Sequence, residues 1–353
     1  MKGLILSGGL GTRLRPLTYT SAKQLVPVAN KPILFYGIEA LVASGITEIG
    51  IVVGETKREI IHAVGTGQRW GAQVSYIEQE APLGLAHAVL IARDFLKDDP
   101  FVMYLGDNLV KDGIAPFVEA FRRDRPPCQI LLARVPNPRQ FGVAEHRDGR
   151  VVRLVEKPQH PPSDLALVGV YMFDPSIHDA VRAIHPSARG ELEITDAIQW
   201  LIDSGKIVRP HIIEGWWKDT GKLEDLLEAN RIILDTLTAR TRGEVVASEL
   251  HGKVVVEEGA KIIRSVIRGP AIIGRGALVE DSYLGPFTSI GDGVVIRESE
   301  VEHSIILEGA SVTEIRGRIE NSLIGKNVRI YRAGGKPRAF NLMLGDRSEI
   351  GLI

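Results

Sequence analysis

From Leu4 to about Arg240, short apolar runs alternate with longer stretches in which apolar residues recur every three or four positions. The runs Leu4–Leu6, Ile49–Val53, Val74–Ile77 and Phe101–Leu105 have the length and composition of buried strands. Between them, Lys31-Pro32 opens a helix whose apolar face is Ile33, Leu34, Ile38, Leu41 and Val42. Thr56 to about Val64 reads as a polar-faced helix, and Gly84 to about Phe95 as an alanine-rich one. This rhythm predicts a doubly wound α/β sheet, which binds ligands beyond the carboxyl ends of its strands. Ser7, Gln79 and Asp107 each follow such a strand and are expected to converge. The middle of the chain is more mixed. Ile130–Arg134, Val143–Glu145, Val151–Val155 and Leu167–Phe173 read as strands, and helices fall near Ser176–His185, Ile194–Ser204 and Leu223–Thr238.

After about Arg242 the helical period disappears. Aliphatic residues now recur at close to every sixth position, at Ile273, Val279, Leu284, Ile290, Ile296 and Val301, then at Ile324 and Ile330. Several precede glycine, as in Ile273-Gly274 and Ile290-Gly291. Hexapeptide repeats build a parallel β-helix, each supplying one flat side with its aliphatic residue pointing inward. Some steps are five residues long, and a small β-sandwich stays open as the alternative. The pattern divides the chain into domains at 1–240 and 241–353.

Composition narrows the function. A 44% hydrophobic chain of 353 residues has ample core, and a net charge of -1 without a basic stripe argues against nucleic acid. Cys128 is the only cysteine, so an intrachain disulfide is excluded, and the nine histidines lack close metal-ligand spacing. No apolar run approaches the ~20 residues of a membrane helix, and the N-terminus enters a strand directly. A cytoplasmic protein without a membrane partner is expected. Cys128, Trp216, His178 and His185 are read as packing or helix-surface residues.

The chemistry concentrates in Leu4-Ile5-Leu6-Ser7-Gly8-Gly9-Leu10-Gly11-Thr12-Arg13, followed by Lys23. A strand empties into three glycines within four residues, and two cations follow. Successive backbone N–H groups make a nest for anions, to which Arg and Lys add full charge. Gly221-Lys222, Gly252-Lys253 and Gly325-Lys326 all lack the Ser or Thr of a P-loop, and Leu14 stands where a dinucleotide fingerprint needs its third glycine. A site that grips a polyphosphate by other means is expected.

The stretch resembles the signature of the sugar-1-phosphate nucleotidylyltransferases. That family carries Gly-Gly-x-Gly-Thr-Arg-Leu, then Pro-x-Thr, then a Lys followed closely by Pro. Here these are Gly8 to Leu14, Pro16 to Thr18, and Lys23 to Pro27. Leu-Gly-Asp-Asn at Leu105–Asn108, Glu-Lys-Pro at Glu156–Pro158 and Trp-x-Asp-Thr-Gly at Trp217–Gly221 match further family motifs in order. The resemblance implies a mixed-sheet nucleotidyltransferase domain followed by a left-handed β-helix. It implies Mg²⁺-dependent attack of a sugar-1-phosphate on the α-phosphorus of a nucleoside triphosphate, with dTTP and glucose-1-phosphate favoured and UTP the alternative.

Roles carry over residue by residue. Asp107 and Asp219 would jointly hold Mg²⁺, although each also suits a turn or a helix cap. Arg13 would stabilise the leaving pyrophosphate and Lys23 the nucleotide phosphates, beside Leu6, Gly8, Gly9, Gly11 and Thr12. Lys157 would bind the sugar phosphate and Glu156 the sugar hydroxyls. Gln79 and Gly84 would read the base, since an amide offers the donor and acceptor that a pyrimidine edge requires. Gln24 would reach the nucleotide sugar, and Asn108, Gly142, Val168 and Tyr171 would line the sugar-phosphate side. A homo-oligomer is expected, because β-helix flanks and ends need covering. An acetyltransferase activity using His251 or His303, and a non-enzymatic nucleotide-sugar sensor, are the other readings.

Overall fold

A computed structural model of the chain describes residues 1–9, 11–19, 21–147 and 149–333. It divides into two compact units. The first comprises 1–10, 21–25 and 33–219, the second 11–20, 26–32 and 220–353. The residue-240 boundary follows the change in element type. By contacts, however, the helix Leu223–Thr236, the turn after Leu10 and the hairpin 26–32 all belong with the C-terminal repeats. The stretch 334–353 of the expected β-helix domain lies outside the described residues.

The first unit is built on a mixed sheet. Gln73–Glu78, Glu48–Val53, Lys2–Ser7 and Phe101–Leu105 run parallel in that order. Leu165–Phe173 then pairs antiparallel with Phe101–Leu105 and also with Cys128–Arg134, which in turn carries Val208–Ile212 in parallel. The hairpin Gly142–Arg147 and Arg150–Glu156 completes the sheet. Strands of almost unbroken apolar sequence are required because both faces are covered. Leu4, Leu6 and Met103 face one core with Ala86, Val89, Ile177, Ala180, Ile198 and Leu201. Ile5, Val102 and Tyr104 face the other with Leu34, Ile38, Leu41, Ile60, Val118 and Phe121.

Three local expectations are corrected. Lys31-Pro32 pairs with Pro27-Val28 as a two-residue strand, and the helix begins at Ile33. The alanine-rich helix is two, Leu85–Ile91 and Arg93–Leu96, and Phe95 fills the space left beside Gly50. His178 is not a surface residue: it is 4% exposed, with its ring stacked on Phe101 at 6.2 Å. His185 lies just beyond the helix Ile177–Ala183 and is exposed, and Cys128 is strand core as expected.

The second unit is a coil of short parallel strands in three sheets of six, six and five strands. A sandwich is excluded, because every strand pairs in parallel with the strand one turn later. Val245, Ile262, Val279 and Ile296 are successive register partners, so each of these turns takes seventeen residues, while the next two, Ile296 to Val312 and Val312 to Ile330, take sixteen and eighteen. Steps of six, five and six residues, as from Val256 to Ile262, Ile267 and Ile273, account for the five-residue irregularities in the repeat. Ile306, Val312 and Ile319 fill the gap in the repeat between Val301 and Ile324.

One corner is pinned by a serine ladder. The hydroxyls of Ser248, Ser265 and Ser282 accept the amide hydrogens of Ser265, Ser282 and Ser299 at 3.0–3.2 Å. Each of these hydroxyls also donates to a carbonyl two residues back. One outer face is covered by the unit's own helix: Leu234 packs on Val255 and Ile272.

Candidate active site

The strand Lys2–Ser7 ends among the loops at the carboxyl ends of its parallel neighbours. A Cβ on Gly8 would stand 3.3 Å from Gln79 Oε1, and one on Gly9 3.8 Å from Gln24 Nε2. Both glycines therefore run beside candidate nucleotide-binding amides with nothing between. Gln24 is 2% exposed, and its Oε1 meets no donor among the described residues. Leu6 is buried core, so its side chain packs and only its backbone can face a ligand. Gly11, Thr12 and Arg13 belong to the second unit. Gly11 is left-handed (φ 63°) and caps the turn Thr12–Leu14, its carbonyl accepting from Thr18 Oγ1 at 2.8 Å, while Thr12 and Arg13 are exposed.

Lys23 opens a short helical turn and forms a close ion pair with Asp107. Both side chains are largely withdrawn from solvent, 11% and 16% exposed. Burial alone would raise the Asp107 carboxyl, but the Lys23 charge and hydrogen bonds from Lys23 and Asn108 outweigh it and hold the group below the usual carboxylate range. Asp107 leads into the strand Asn108–Val110, which pairs antiparallel with Trp217–Asp219. Asn108 stands opposite Asp219 in that ladder, so the two aspartates share one strand end. Asp219 is thus a strand residue and not a helix cap, since the next helix starts at Leu223.

Asn108 ties the group together. Its Nδ2 donates to Asp107 Oδ1 at 2.9 Å and its Oδ1 accepts from Trp217 Nε1 at 2.6 Å. Trp217, which had entered the sequence reading only as a motif letter, therefore orients the Asp107 neighbourhood. Among the described residues no three His, Cys, Asp or Glu side chains form a metal cluster. Two carboxylates are nonetheless the donor set a small hard cation uses when phosphate oxygens and water supply the rest.

Gln79 sits at the end of Gln73–Glu78, anchored by its amide to the Val53 carbonyl at 2.8 Å. Its Nε2 lies 3.2 Å from the Gly84 carbonyl and 3.0 Å from His87 Nδ1. Burial lowers the His87 pKa, which keeps the ring neutral and able to accept that bond. His87 was missed in the sequence; its place one helical turn past Gly84 is the only signal. Gly84 has φ 104°, and a Cβ there would collide with the Leu192 backbone.

The opposite side is formed by Gly142, Glu156, Lys157 and Thr195. Gly142 leaves room for Thr195 Cγ2 and Glu156 Oε2, and Thr195 Oγ1 donates to that oxygen at 3.3 Å. Burial first, and then Glu193, raises the Glu156 pKa, while Lys157 and Arg189 pull it down. Lys157 takes a left-handed φ of 39°, uncommon for lysine, with its amide donating to Phe141 O at 3.0 Å. Glu156 and Lys157 border a cleft of about 890 Å³ that is also lined by Ser187 and Arg189. Arg189, overlooked in the sequence, reaches the buried Glu193 at 2.9 Å and Glu156 at 3.7 Å. Tyr171 is buried and stacked on Phe173, with the Glu156 charge helping burial push its hydroxyl pKa up. The Val168 side chain packs into the core, leaving its backbone as the part that can face a ligand. In the β-helix, His251 pairs with Glu249 at 3.0 Å and His303 with Asn321 at 2.7 Å, on separate turns.

The family model described as nucleotidyl transferase matches residues 2–236. A glucose-1-phosphate thymidylyltransferase of Streptomyces griseus is 59% identical over 351 residues, covering 99% of each chain. A second, from Streptomyces antibioticus, is 57% identical over 353 residues, again covering 99% of each. A solved Bacillus anthracis chain described as a glucose-1-phosphate thymidylyltransferase, in complex with sucrose, superposes with a TM-score of 0.64 at 35% identity. That match spans 68% of the present chain and 98% of the other.

Proposed function

The chain belongs to the nucleotidyl transferase family, and from that premise we propose that it transfers the thymidylyl group of dTTP to glucose-1-phosphate, giving dTDP-glucose and pyrophosphate. The observation that carries the reading is the pairing of Asn108–Val110 with Trp217–Asp219, which sets two aspartates at one strand end beside Lys23. The full-length thymidylyltransferase relatives select the nucleotide.

A phosphate oxygen of glucose-1-phosphate attacks the α-phosphorus. A new P–O bond forms, the bond to the β-phosphate bridging oxygen breaks, and pyrophosphate departs with that electron pair. Both reactants are anions, so holding them in line and neutralising charge is most of the task. Lys23 faces the nucleotide phosphates, with the amides of Gly8, Gly9, Gly11 and Thr12 as further donors. Arg13 takes the charge that develops on pyrophosphate. Gln79 spends its Nε2 on Gly84 and His87, so its Oε1 is left to accept from a pyrimidine N–H, while Gly84 admits the base edge. Gln24, whose buried Oε1 meets no donor among the described residues, takes a deoxyribose hydroxyl. Lys157 binds the sugar phosphate, and Glu156 accepts from sugar hydroxyls within a pocket walled by Gly142, Val168, Asn108 and Tyr171. Asp107, kept ionised, and Asp219 would hold Mg²⁺, which when bound supplies charge neutralisation at the α-phosphate.

A cytoplasmic homo-oligomer completes the proposal. No helix among the described residues is long and apolar enough to cross a membrane. The decisive experiment measures pyrophosphate release from glucose-1-phosphate with dTTP and with UTP in parallel. Strong dTTP preference is the expected result. Equal or faster release with UTP would refute the thymidylyl assignment, and no release with either would refute the class.

A further inference from the structure

We propose that Asn230 is a positioning residue for the transfer reaction, latching the turn that follows Lys23 onto one turn of the β-helix. The inference rests on the function proposed above. Pro27-Val28 and Lys31-Pro32 form a hairpin closed by Ala29 and Asn30, both left-handed, with φ of 48° and 60°. Such a two-residue turn favours Asn-Gly or Gly-Gly, and Ala resists the left-handed region because of its Cβ. Something outside the hairpin must hold it.

Part of that hold comes from one side-chain amide. Asn230, on the helix Leu223–Thr236, is fully buried. Its Oδ1 accepts from the Ala29 amide at 2.9 Å and from Ser289 Oγ at 2.6 Å, and its Nδ2 donates to the Phe287 carbonyl at 3.0 Å. Asn30 Nδ2 adds a bond to the Ile290 carbonyl at 2.6 Å. Phe287 is itself left-handed (φ 59°). Two unfavourable backbone residues, Ala29 and Phe287, thus meet at one side chain, which is how strained geometry persists where position matters. Asn230 is 0% exposed, so water cannot substitute for the lost bonds.

A second attachment lies upstream. Leu17 packs where Gly325 has no side chain, fixing the stretch that carries Thr12 and Arg13 to a later turn of the coil. The segment Ser21–Leu25, with Lys23 and Gln24, is strung between these two attachments. Asn230 therefore fastens the stretch of chain that directly follows Lys23 and Gln24.

The test uses the full chain and three variants, Asn230→Ala, Asn30→Ala and Ser282→Ala. Ser282→Ala also removes buried hydrogen bonds from a β-helix turn, but these belong to the serine corner. Melting temperatures and kcat and KM for dTTP and for glucose-1-phosphate are measured well below every transition. Asn230→Ala is expected to lower kcat/KM for dTTP by about tenfold or more, the scale of a small misplacement of reacting groups, while KM for glucose-1-phosphate stays within about twofold. Asn30→Ala should shift the same parameter by less, and Ser282→Ala should lose melting temperature without losing kcat/KM. Should Asn230→Ala fail to fold, Asn30→Ala carries the same comparison. Unchanged dTTP kinetics, or losses that track melting temperature alike in all three, would overturn the latch. An inactive wild type would instead count against the proposed function.

Discussion

Trp217→Phe isolates one hydrogen bond. The Trp217 Nε1–H donates to Asn108 Oδ1 at 2.6 Å, and Asn108 is 2% exposed. Phenylalanine keeps an aromatic ring against Phe141, now 5.3 Å from the indole, and leaves the backbone pairing with Val110 intact. What disappears is the donor, leaving a buried amide oxygen unsatisfied at a cost of about 1–3 kcal/mol. Asn108 would recover part of that by turning, which breaks its 2.9 Å bond to Asp107 and frees the carboxylate to reorient. If the full penalty reaches the transition state, kcat/KM falls by roughly 5- to 150-fold. Global stability should move little, by about 2–4 °C in melting temperature per kcal/mol for a domain of this size. The assay is initial pyrophosphate release at substrate concentrations well below KM, across a Mg²⁺ titration. The expected outcome is a higher Mg²⁺ midpoint with a lower plateau. Trp216→Phe is the control, because Trp216 Nε1 donates to nothing among the described residues and its loss should leave the titration in place. An unchanged Mg²⁺ dependence in Trp217→Phe would refute the coupling from indole through Asn108 to Asp107.

Two further expectations follow from the same site. Gly84→Ala must push its Cβ into the Leu192 backbone at φ 104°, so KM for dTTP should rise while KM for glucose-1-phosphate holds, as steady-state kinetics would show; equal changes in both would contradict a base-side role. The raised Glu156 pKa means that the folded protein holds this proton more tightly than the unfolded chain. That contribution to stability is present below the ordinary carboxyl value of about 4.3 and is lost as pH rises through the raised value. In activity, KM for glucose-1-phosphate should climb on acidification at a higher pH than an ordinary carboxylate would give, and Glu156→Gln should flatten that limb of the profile.

Much of this was legible in the sequence, for local reasons. Strands buried on both faces must be apolar throughout, so Lys2–Ser7 and Phe101–Leu105 declare themselves, and a coil must repeat, so Ile273 to Val301 reveals its turns. The glycine loop and the acidic motifs stand out because glycines, cations and aspartates fall in short spans, and the structure pairs Lys23 with Asp107. What escaped depends on distant partners. Nothing near Ala29 says that Asn230, 201 residues later, will hold it. His178 looks like a surface residue until Phe101 covers it, and Val168 looks available until its neighbours bury it. The antiparallel entry of Leu165–Phe173 is likewise set by strand order, which periodicity does not encode.

The seventeen-residue turn has a bearing on how such a chain can change over generations. A residue inserted or deleted within a strand throws its aliphatic off the inward face, whereas a corner absorbs it: the turn from Ile296 to Val312 takes sixteen residues and that from Val312 to Ile330 eighteen, with the partners still matched. Removal or duplication of one complete circuit leaves all remaining partners matched. Length in this part of the molecule is therefore constrained strand by strand: descendants should differ by whole circuits or by single residues at the corners, while the opening two-thirds of the chain is free to vary in its surface loops one residue at a time.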